Sequence, residues 1–256
     1  QKHLPNEDSK TFEEIAKLAE PVSGPVRKPP SEGLVLVSPF DGIGGARRAL
    51  ELLGIQPAVT IVMESDEACI QVVGKAWPDC HVFRLVAGVK ERDLRDILQD
   101  PKLDTGVCIG GPPCQGFSGL NAERKGFEDP RSGGIGAYAS LVKLLRKVAP
   151  HIEWSWLAEN VSSMDAKDRA GITSILSELT PTTPYRFNAD VIGPVSRPRL
   201  YWTSWELCPG ELQLMDSGEG FIDVLFNGEL DLPVEQFLDP GWEKGGPEPF
   251  PTAVRW

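Results

Sequence analysis

From Gly33 onward the chain alternates short apolar runs with amphipathic stretches, at the two periodicities that separate strands from helices. LVLVSPF (34–40) reads as a fully buried strand, and Ile43–Leu53 as a helix that turns Ala46, Leu50 and Leu53 inward. VTIVME (59–64), HVFRLV (81–86), GVCI (106–109) and WSWLAENV (154–161) are further strands. Helices are predicted at Glu67–Lys75, Glu91–Leu98, Tyr138–Val148 and about Asp165–Leu179. YRFNADVI (185–192) and RLYWTSW (199–205) are two neighbouring strands that close the regular part. Apolar strands alternating with helices predict an α/β domain, a mostly parallel sheet with helices on both faces. Residues 1–33 carry Pro21, Pro25, Pro29 and Pro30 and read as a tail or linker, with at most a short helix at Ser9–Ala19. Past Trp205, Gly, Pro and acids dominate and only apolar islands such as Phe221–Phe226 and Val234–Leu238 remain. The expected organisation is therefore a tail (1–33), a catalytic-type domain (34–205) and an acidic segment (206–256).

Charge changes this picture in one respect. The net charge of −11 argues against a polyanionic partner, but Glu206–Trp256 alone holds eleven acids and two bases, which leaves only −2 for residues 1–205. The body can still present a basic face. No run reaches the length of a membrane span and no signal peptide opens the chain. Five cysteines (69, 80, 108, 114, 208) without CxxC spacing and three scattered histidines (3, 81, 151) indicate neither a metal site nor a disulfide framework, and a reducing, intracellular compartment is expected.

Four short motifs carry candidate chemistry. Phe40-Asp41-Gly42-Ile43-Gly44-Gly45 stands at a strand-to-helix turn, where glycines admit a ligand to the backbone and the helix amino end is electropositive. Glu64 ends the next strand 20 residues after Gly44, the place for a ribose-binding acid, so an adenosine cofactor is indicated. Arg47 stands where GxGxxG requires its third glycine, which counts against NAD. Next, GGPPCQGFS (110–118) delivers Cys114 onto a loop stiffened by Pro112 and Pro113. Most free cysteines are small buried hydrophobes, yet Gly, Pro, Gln and Ser are not core lining. Glu159-Asn160-Val161 ends an apolar strand and offers a carboxyl group held partly protonated by desolvation, or else a solvent-facing acid. Arg197-Pro198-Arg199 is either a surface pair or a holder of a carbonyl or carboxylate.

In this order the motifs resemble the DNA (cytosine-5) methyltransferase family over about residues 34–205. FDGIGG is similar to its cofactor loop, Glu64 to its ribose-binding acid, GGPPCQGFS to its nucleophile loop, ENV to its glutamate motif and SRPR to its arginine motif. NAERKGFEDPR (121–131) resembles the mobile loop that follows the nucleophile. The resemblance implies a Rossmann-like fold of the S-adenosylmethionine-dependent methyltransferases, with an antiparallel strand near the C-terminal end of the sheet. It implies Cys114, Glu159, Asn160, Arg197 and Arg199 as catalytic residues. Phe40, Asp41, Gly42, Ile43, Gly44, Glu64, Ser65, Asp93 and Pro113 would bind S-adenosyl-L-methionine. Gln115, Ser118, Arg124, Lys125 and Arg131 would meet double-stranded DNA, with Gly133, Gly134 and Gly136 giving their loop freedom. Nuclear placement follows if the chain is eukaryotic.

Three departures stand beside the resemblance. Ser196 replaces a glutamine before Arg197. The acid that contacts adenine has no clear match, Asp93 fitting by spacing with Asp96 as the alternative. A final Gly-Asn helix is missing, so residues 206–256 are expected to be all or part of a target-recognition region. A tRNA-methylating relative and an inactive, binding-only paralogue are the competing readings, and a hydride-transfer enzyme is a distant one.

Overall fold

The structure, a computed structural model, describes residues 32–114, 116–117, 126, 133–191, 195–208 and 212–226. The elements are β1 (Leu34–Pro39), α1 (Gly45–Leu52), β2 (Val59–Met63), α2 (Glu67–Ala76), β3 (His81–Phe83), α3 (Glu91–Leu98), β4 (Thr105–Gly110), α4 (Gly134–Val148), β5 (Glu153–Val161), α5 (Ala166–Ser177), β6 (Tyr185–Asn188), β7 (Pro198–Thr203), β8 (Leu212–Asp216) and β9 (Ile222–Phe226). The short helix expected at Ser9–Ala19 lies outside the described residues.

The nine strands among the described residues form one sheet in the order β3-β2-β1-β4-β5-β7-β6-β9-β8. Strands β3 to β5 are parallel, and β7 is inserted antiparallel between β5 and β6. The run Leu34–Pro39 is buried at every position, as a central parallel strand requires. Helix α4 buries Ile135, Tyr138, Ala139, Leu141, Val142, Leu145 and Val148, a helical stripe against the sheet. Trp156 and Trp202 are fully buried, and the Trp202 indole N–H donates to Thr173 Oγ1 on α5 at 2.9 Å. Asp66 and Asp165 cap α2 and α5 through their carboxylates.

Four sequence expectations are corrected. Strand β3 stops at Phe83 rather than Val86, because it is an edge strand whose one partner, β2, ends at Met63 opposite Phe83. Helix α1 begins only at Gly45, and its buried residue is Arg47, whereas Leu53 is 57% exposed. The predicted strand 185–192 ends at Asn188 and turns into a 3-10 helix over Ala189–Val191. Regular structure also continues past Trp205: the island at 221–226 becomes β9, parallel to β6 and antiparallel to β8.

The order places β1 beside β4, and the chain leaves the two strands toward different neighbours. Such a switch point opens a crevice at the carboxyl ends of the strands, where α/β sheets bind ligands. Both the glycine turn after β1 and the cysteine loop after β4 emerge there.

Candidate active site

The turn after β1 is conformationally unusual. Phe40, Gly42 and Gly44 have φ of 57°, 62° and 88°, three left-handed residues within five. Glycine adopts this region freely, but Phe40 does so against its side chain, a strain that collects at functional turns. The Gly42 N–H donates to Glu64 Oε2 at 2.8 Å, and the N–H groups of Ser65 and Asp66 donate to Oε1 at 2.7 and 2.8 Å. Glu64 thus ties the turn after β1 to the end of β2. Asp41 accepts a hydrogen bond from the Ser38 hydroxyl through Oδ1. Its buried Oδ2 has no partner among the described residues. Burial raises the Asp41 carboxyl above its ordinary value, the Ser38 bond opposes this, and the charge of Glu64 adds to it. Ile43 is 64% exposed and Ser65 is exposed, so both stand on the rim of the turn.

The cysteine loop is built around close approaches. A Cβ on Gly110 would stand 2.5 Å from the Pro39 carbonyl oxygen, and one on Gly111 would stand 2.9 Å from Glu159 Oε2. A Cβ on Gly134, at the start of α4, would lie 2.8 Å from Pro113 Cδ and 3.5 Å from Phe40 Cζ. Phe40, the two prolines and α4 therefore meet, bringing the glycine turn against the cysteine loop. The reading of Gly133, Gly134 and Gly136 as loop hinges is corrected: Gly133 caps α4, and Gly134 and Gly136 lie within it. Gly134 is needed there for packing. Cys114 is half-buried, packed against the core edge, and its carbonyl accepts from the Phe117 N–H at 2.9 Å. The neighbouring Cys108 is fully buried and its thiol is pushed up to about 12 by desolvation, so it is inert at neutral pH.

Strand β5 ends in the predicted carboxylate and amide. Asn160 is buried, donates through Nδ2 to the Pro112 carbonyl at 3.1 Å, and accepts from the Val161 N–H at 2.9 Å. It fastens the cysteine loop to β5. Glu159 points the other way in the pleat and forms an ion pair with Arg199, Oε1 to Nε at 2.8 Å. Burial raises the Glu159 carboxyl above its ordinary value of 4.5, and the positive charges of Arg199 and then Arg197 oppose that rise without cancelling it. Arg199 also donates to the Pro198 carbonyl at 2.9 Å. Arg197 is exposed; its backbone N–H donates to Asn188 Oδ1 at 2.7 Å. Ser196, standing where a glutamine was expected, bonds Asp190 and Asn188 and serves the β6–β7 connection. Tyr201 is opposite Glu159 in the antiparallel register, and burial followed by the Glu159 charge raises its phenol.

Asp93 lies in the first turn of α3, its carboxylate 3.3 Å from Arg92 Nε. Gln115, Ser118, Arg124, Lys125 and Arg131 lie outside the described residues. Sequence reasoning did not single out Tyr201 or a role for Gly111, and it gave Gly134 the wrong one. Gly111 and Gly134 had a signal, a glycine beside each stiff element, but only the packing shows what each is required for.

Two predictions follow from these contacts. Gly111→Ala forces a methyl group against the Glu159 carboxylate, and turnover is expected to fall about tenfold or more with destabilisation below about 1 kcal/mol, read by steady-state kinetics beside thermal melts. Asn160→Ala leaves the buried Pro112 carbonyl without its donor and is expected to destabilise by about 1–3 kcal/mol, while Asn160→Asp, which keeps the acceptor, still loses turnover. Equal turnover in Asn160→Asp and wild type would remove the loop-fastening role.

A doubly wound sheet with one antiparallel strand inserted beside β5, and a glycine turn facing a cysteine loop at its switch point, defines a Rossmann-like methyltransferase domain. The profile of the C-5 cytosine-specific DNA methylase family matches residues 35–193, more than half of the chain. The type II methyltransferase M.HhaI of Haemophilus parahaemolyticus is 26% identical over 178 residues, 66% of this chain and 48% of that protein. Type II methyltransferase M.AquIA of Picosynechococcus sp. is 29% identical over 130 residues, 50% of this chain and 49% of that protein. The chain thus spans about half the length of these curated relatives. A prophage-encoded E. coli protein described as a DNA modification methyltransferase superposes with a TM-score of 0.51 at 21% identity, over 70% of this chain and 50% of that one, a likeness of fold. The chain belongs to the C-5 cytosine-specific DNA methylase family.

Proposed function

We propose that the protein methylates carbon 5 of cytosine in double-stranded DNA, with Cys114 as nucleophile, Glu159 as acid and S-adenosylmethionine as methyl donor. The observation that carries this reading is the meeting of the cysteine loop with Glu159 through Gly111, beside a left-handed glycine turn.

The donor fits the residues present. Asp41 Oδ2 is a buried acceptor with no hydrogen-bond partner among the described residues, suited to the cationic methionyl portion of such a ligand. Glu64 accepts three backbone hydrogen bonds, and a carboxylate has about four acceptor sites, so one remains for a ribose hydroxyl. Gly42 leaves the backbone open to the adenosine, Gly44 letting the turn close against Trp77 behind it, with Ile43, Ser65 and Pro113 assigned around the donor and Asp93 to its base. When bound, S-adenosylmethionine supplies an electrophilic methyl group, which carbon 5 takes.

The protein's own residues prepare that carbon. A cytosine is shielded by stacking inside a duplex and must be extruded to reach the loop. The Cys114 thiolate adds to carbon 6, forming the sulfur–carbon bond as the ring electrons move toward carbon 5 and nitrogen 3. Glu159, whose burial favours the protonated form against the pull of Arg199, gives a proton to nitrogen 3 as the thiolate adds, so no negative charge is stranded in a dry site. Arg199 fixes the Glu159 carboxylate and, with Arg197, turns positive charge toward the base carbonyl. After methylation a base, such as a solvent water, takes the carbon 5 proton, the C5–C6 double bond re-forms as Cys114 departs as thiolate, and Glu159 recovers the proton it gave to nitrogen 3. Asn160 keeps the nucleophile loop in place throughout. Gln115, Ser118, Arg124, Lys125 and Arg131 are assigned to the DNA side, as phosphate and base contacts.

The test uses duplex DNA, tRNA and a duplex containing 5-fluorocytosine, each with labelled S-adenosylmethionine. The expected result is label in cytosine of the duplex and a stable adduct on Cys114 with the fluorinated DNA, mapped by peptide mass spectrometry. Label in tRNA alone overturns the substrate assignment. Protein that binds the donor but forms no adduct overturns the mechanism.

A further inference from the structure

Arg47 takes the place of a third glycine, and the structure buries it. It is 7% exposed, the one residue of α1 classed with the interior. Its guanidinium donates to the hydroxyl of Thr60 on β2 and lies 3.6 Å from Glu51 Oε1. Glu51 Oε1 also accepts from the Trp77 indole N–H at 2.6 Å. Trp77 ends α2, its backbone N–H bonded to the Val73 carbonyl at 2.7 Å. The six-membered part of its ring rests on Gly44, so closely that a Cβ there would fall inside it. A continuous path therefore runs from the second strand through Thr60, Arg47, Glu51 and Trp77 to the αL residue of the glycine turn.

The path has features that bulk stability does not require. Arg47 Nε is buried with no hydrogen bond among the described residues, only the 3.6 Å ion pair to Glu51, which disfavours folding, and an apolar trio of the same volume would pack without that penalty. The Trp77 bond, followed by the guanidinium groups, holds Glu51 below the usual carboxylate range, so it is ionised and accepting at neutral pH. The turn it backs is the segment in most need of support, since Gly42 and Gly44 lose more freedom on ordering than any other residue type.

We infer that Arg47, Glu51 and Trp77 form a brace of positioning residues that holds Gly42–Gly44 in its left-handed conformation and thereby sets the affinity for the adenosine-bearing methyl donor. The inference rests on the proposed donor site. A preorganised turn is ordered before the ligand arrives, so loosening the brace weakens binding while the chemical step at saturating donor is untouched.

The experiment measures Kd for S-adenosylmethionine and S-adenosylhomocysteine by titration calorimetry, with thermal midpoints and kcat at saturating donor. Trp77→Ala and Glu51→Ala are expected to raise Kd about tenfold, and their combination to do no more than Trp77→Ala alone, because both cut one path. Trp77→Phe keeps a ring on Gly44 but loses the indole N–H, and a smaller rise is expected; Glu51→Gln keeps an acceptor and is expected to restore binding. Leu176→Ala, a core truncation on α5, is expected to lower the thermal midpoint and leave Kd alone. Should Trp77→Ala not fold, Trp77→Phe and Glu51→Ala decide the matter. Wild type that binds with Kd unchanged in folded brace variants overturns the brace alone. Wild type that binds neither ligand overturns the donor site and the brace together.

Discussion

Cys114→Ser is expected to abolish methyl transfer, lowering turnover by about a thousandfold or more, while the protein still folds and binds the methyl donor. Attack on carbon 6 needs an anion, and a serine hydroxyl at neutral pH supplies almost none. The folded state tolerates the change because Cys114 is only half-buried at the edge of the core, on a loop held by Gly111, Pro113 and the Asn160–Pro112 bond rather than by its sulfur. Cys108, six residues earlier and fully buried, cannot substitute. The checks are turnover, calorimetric donor affinity and the 5-fluorocytosine adduct in parallel. Retained turnover in Cys114→Ser would end the covalent mechanism, and lost donor binding would show that the thiol supports the donor site instead.

Glu159→Gln is expected to lower turnover by about 10²–10⁴-fold, the usual range for removing a general acid, and at the same time to leave neutral-pH stability equal or higher. The sign follows from linkage. Burial raises the folded-state pKa of Glu159 above the ordinary 4.5, so the folded chain holds this proton more tightly than the unfolded chain. The resulting stabilisation is fully present below pH 4.5 and is lost as pH rises through the folded-state value. Above that window the wild type keeps an ionised carboxylate in a partly dry site, and glutamine does not. Glutamine also retains an oxygen for Arg199 Nε, and Arg199 keeps its bond to the Pro198 carbonyl, so no cation is orphaned. Denaturant melts of both proteins from pH 4 to pH 8 should show the difference moving in favour of Glu159→Gln as pH rises. A wild type more stable than the variant at pH 8 would mean that the ion pair outweighs desolvation.

The two substitutions divide the site by function. One removes the atom proposed to bond to the base, and the other removes the proton proposed to make that bond favourable. Both leave the glycine turn untouched, so donor affinity is the common control.

The chemistry was legible because it sits in short, local motifs. FDGIGG, GGPPCQGFS, ENV and SRPR each occupy a strand end, and apolar periodicity alone located those ends. The core strands were legible for the same reason: LVLVSP and WSWLAENV are continuous enough to admit no other reading. Three features were not. Pairing decided where β3 stops, since an edge strand extends only as far as its neighbour. Sheet-edge addition made strands of 212–216 and 222–226, whose short apolar runs have no meaning until β6 offers an open edge. Packing decided that Arg47, not Leu53, turns inward from α1, because its acceptor Thr60 and its ion-pair partner Glu51 stand on that side.

By itself, the sequence determined which motifs stand at the strand ends, the order of strands and helices along the chain, and the family. Tertiary structure decided which of those residues meet: Gly111 against Glu159, Asn160 against Pro112, Phe40 and Pro113 against Gly134, and Trp77 against Gly44. The physical reason is range. Motif identity and periodicity are local properties of a chain, whereas burial, pKa and close approach depend on strands far apart in sequence being brought to one edge of one sheet.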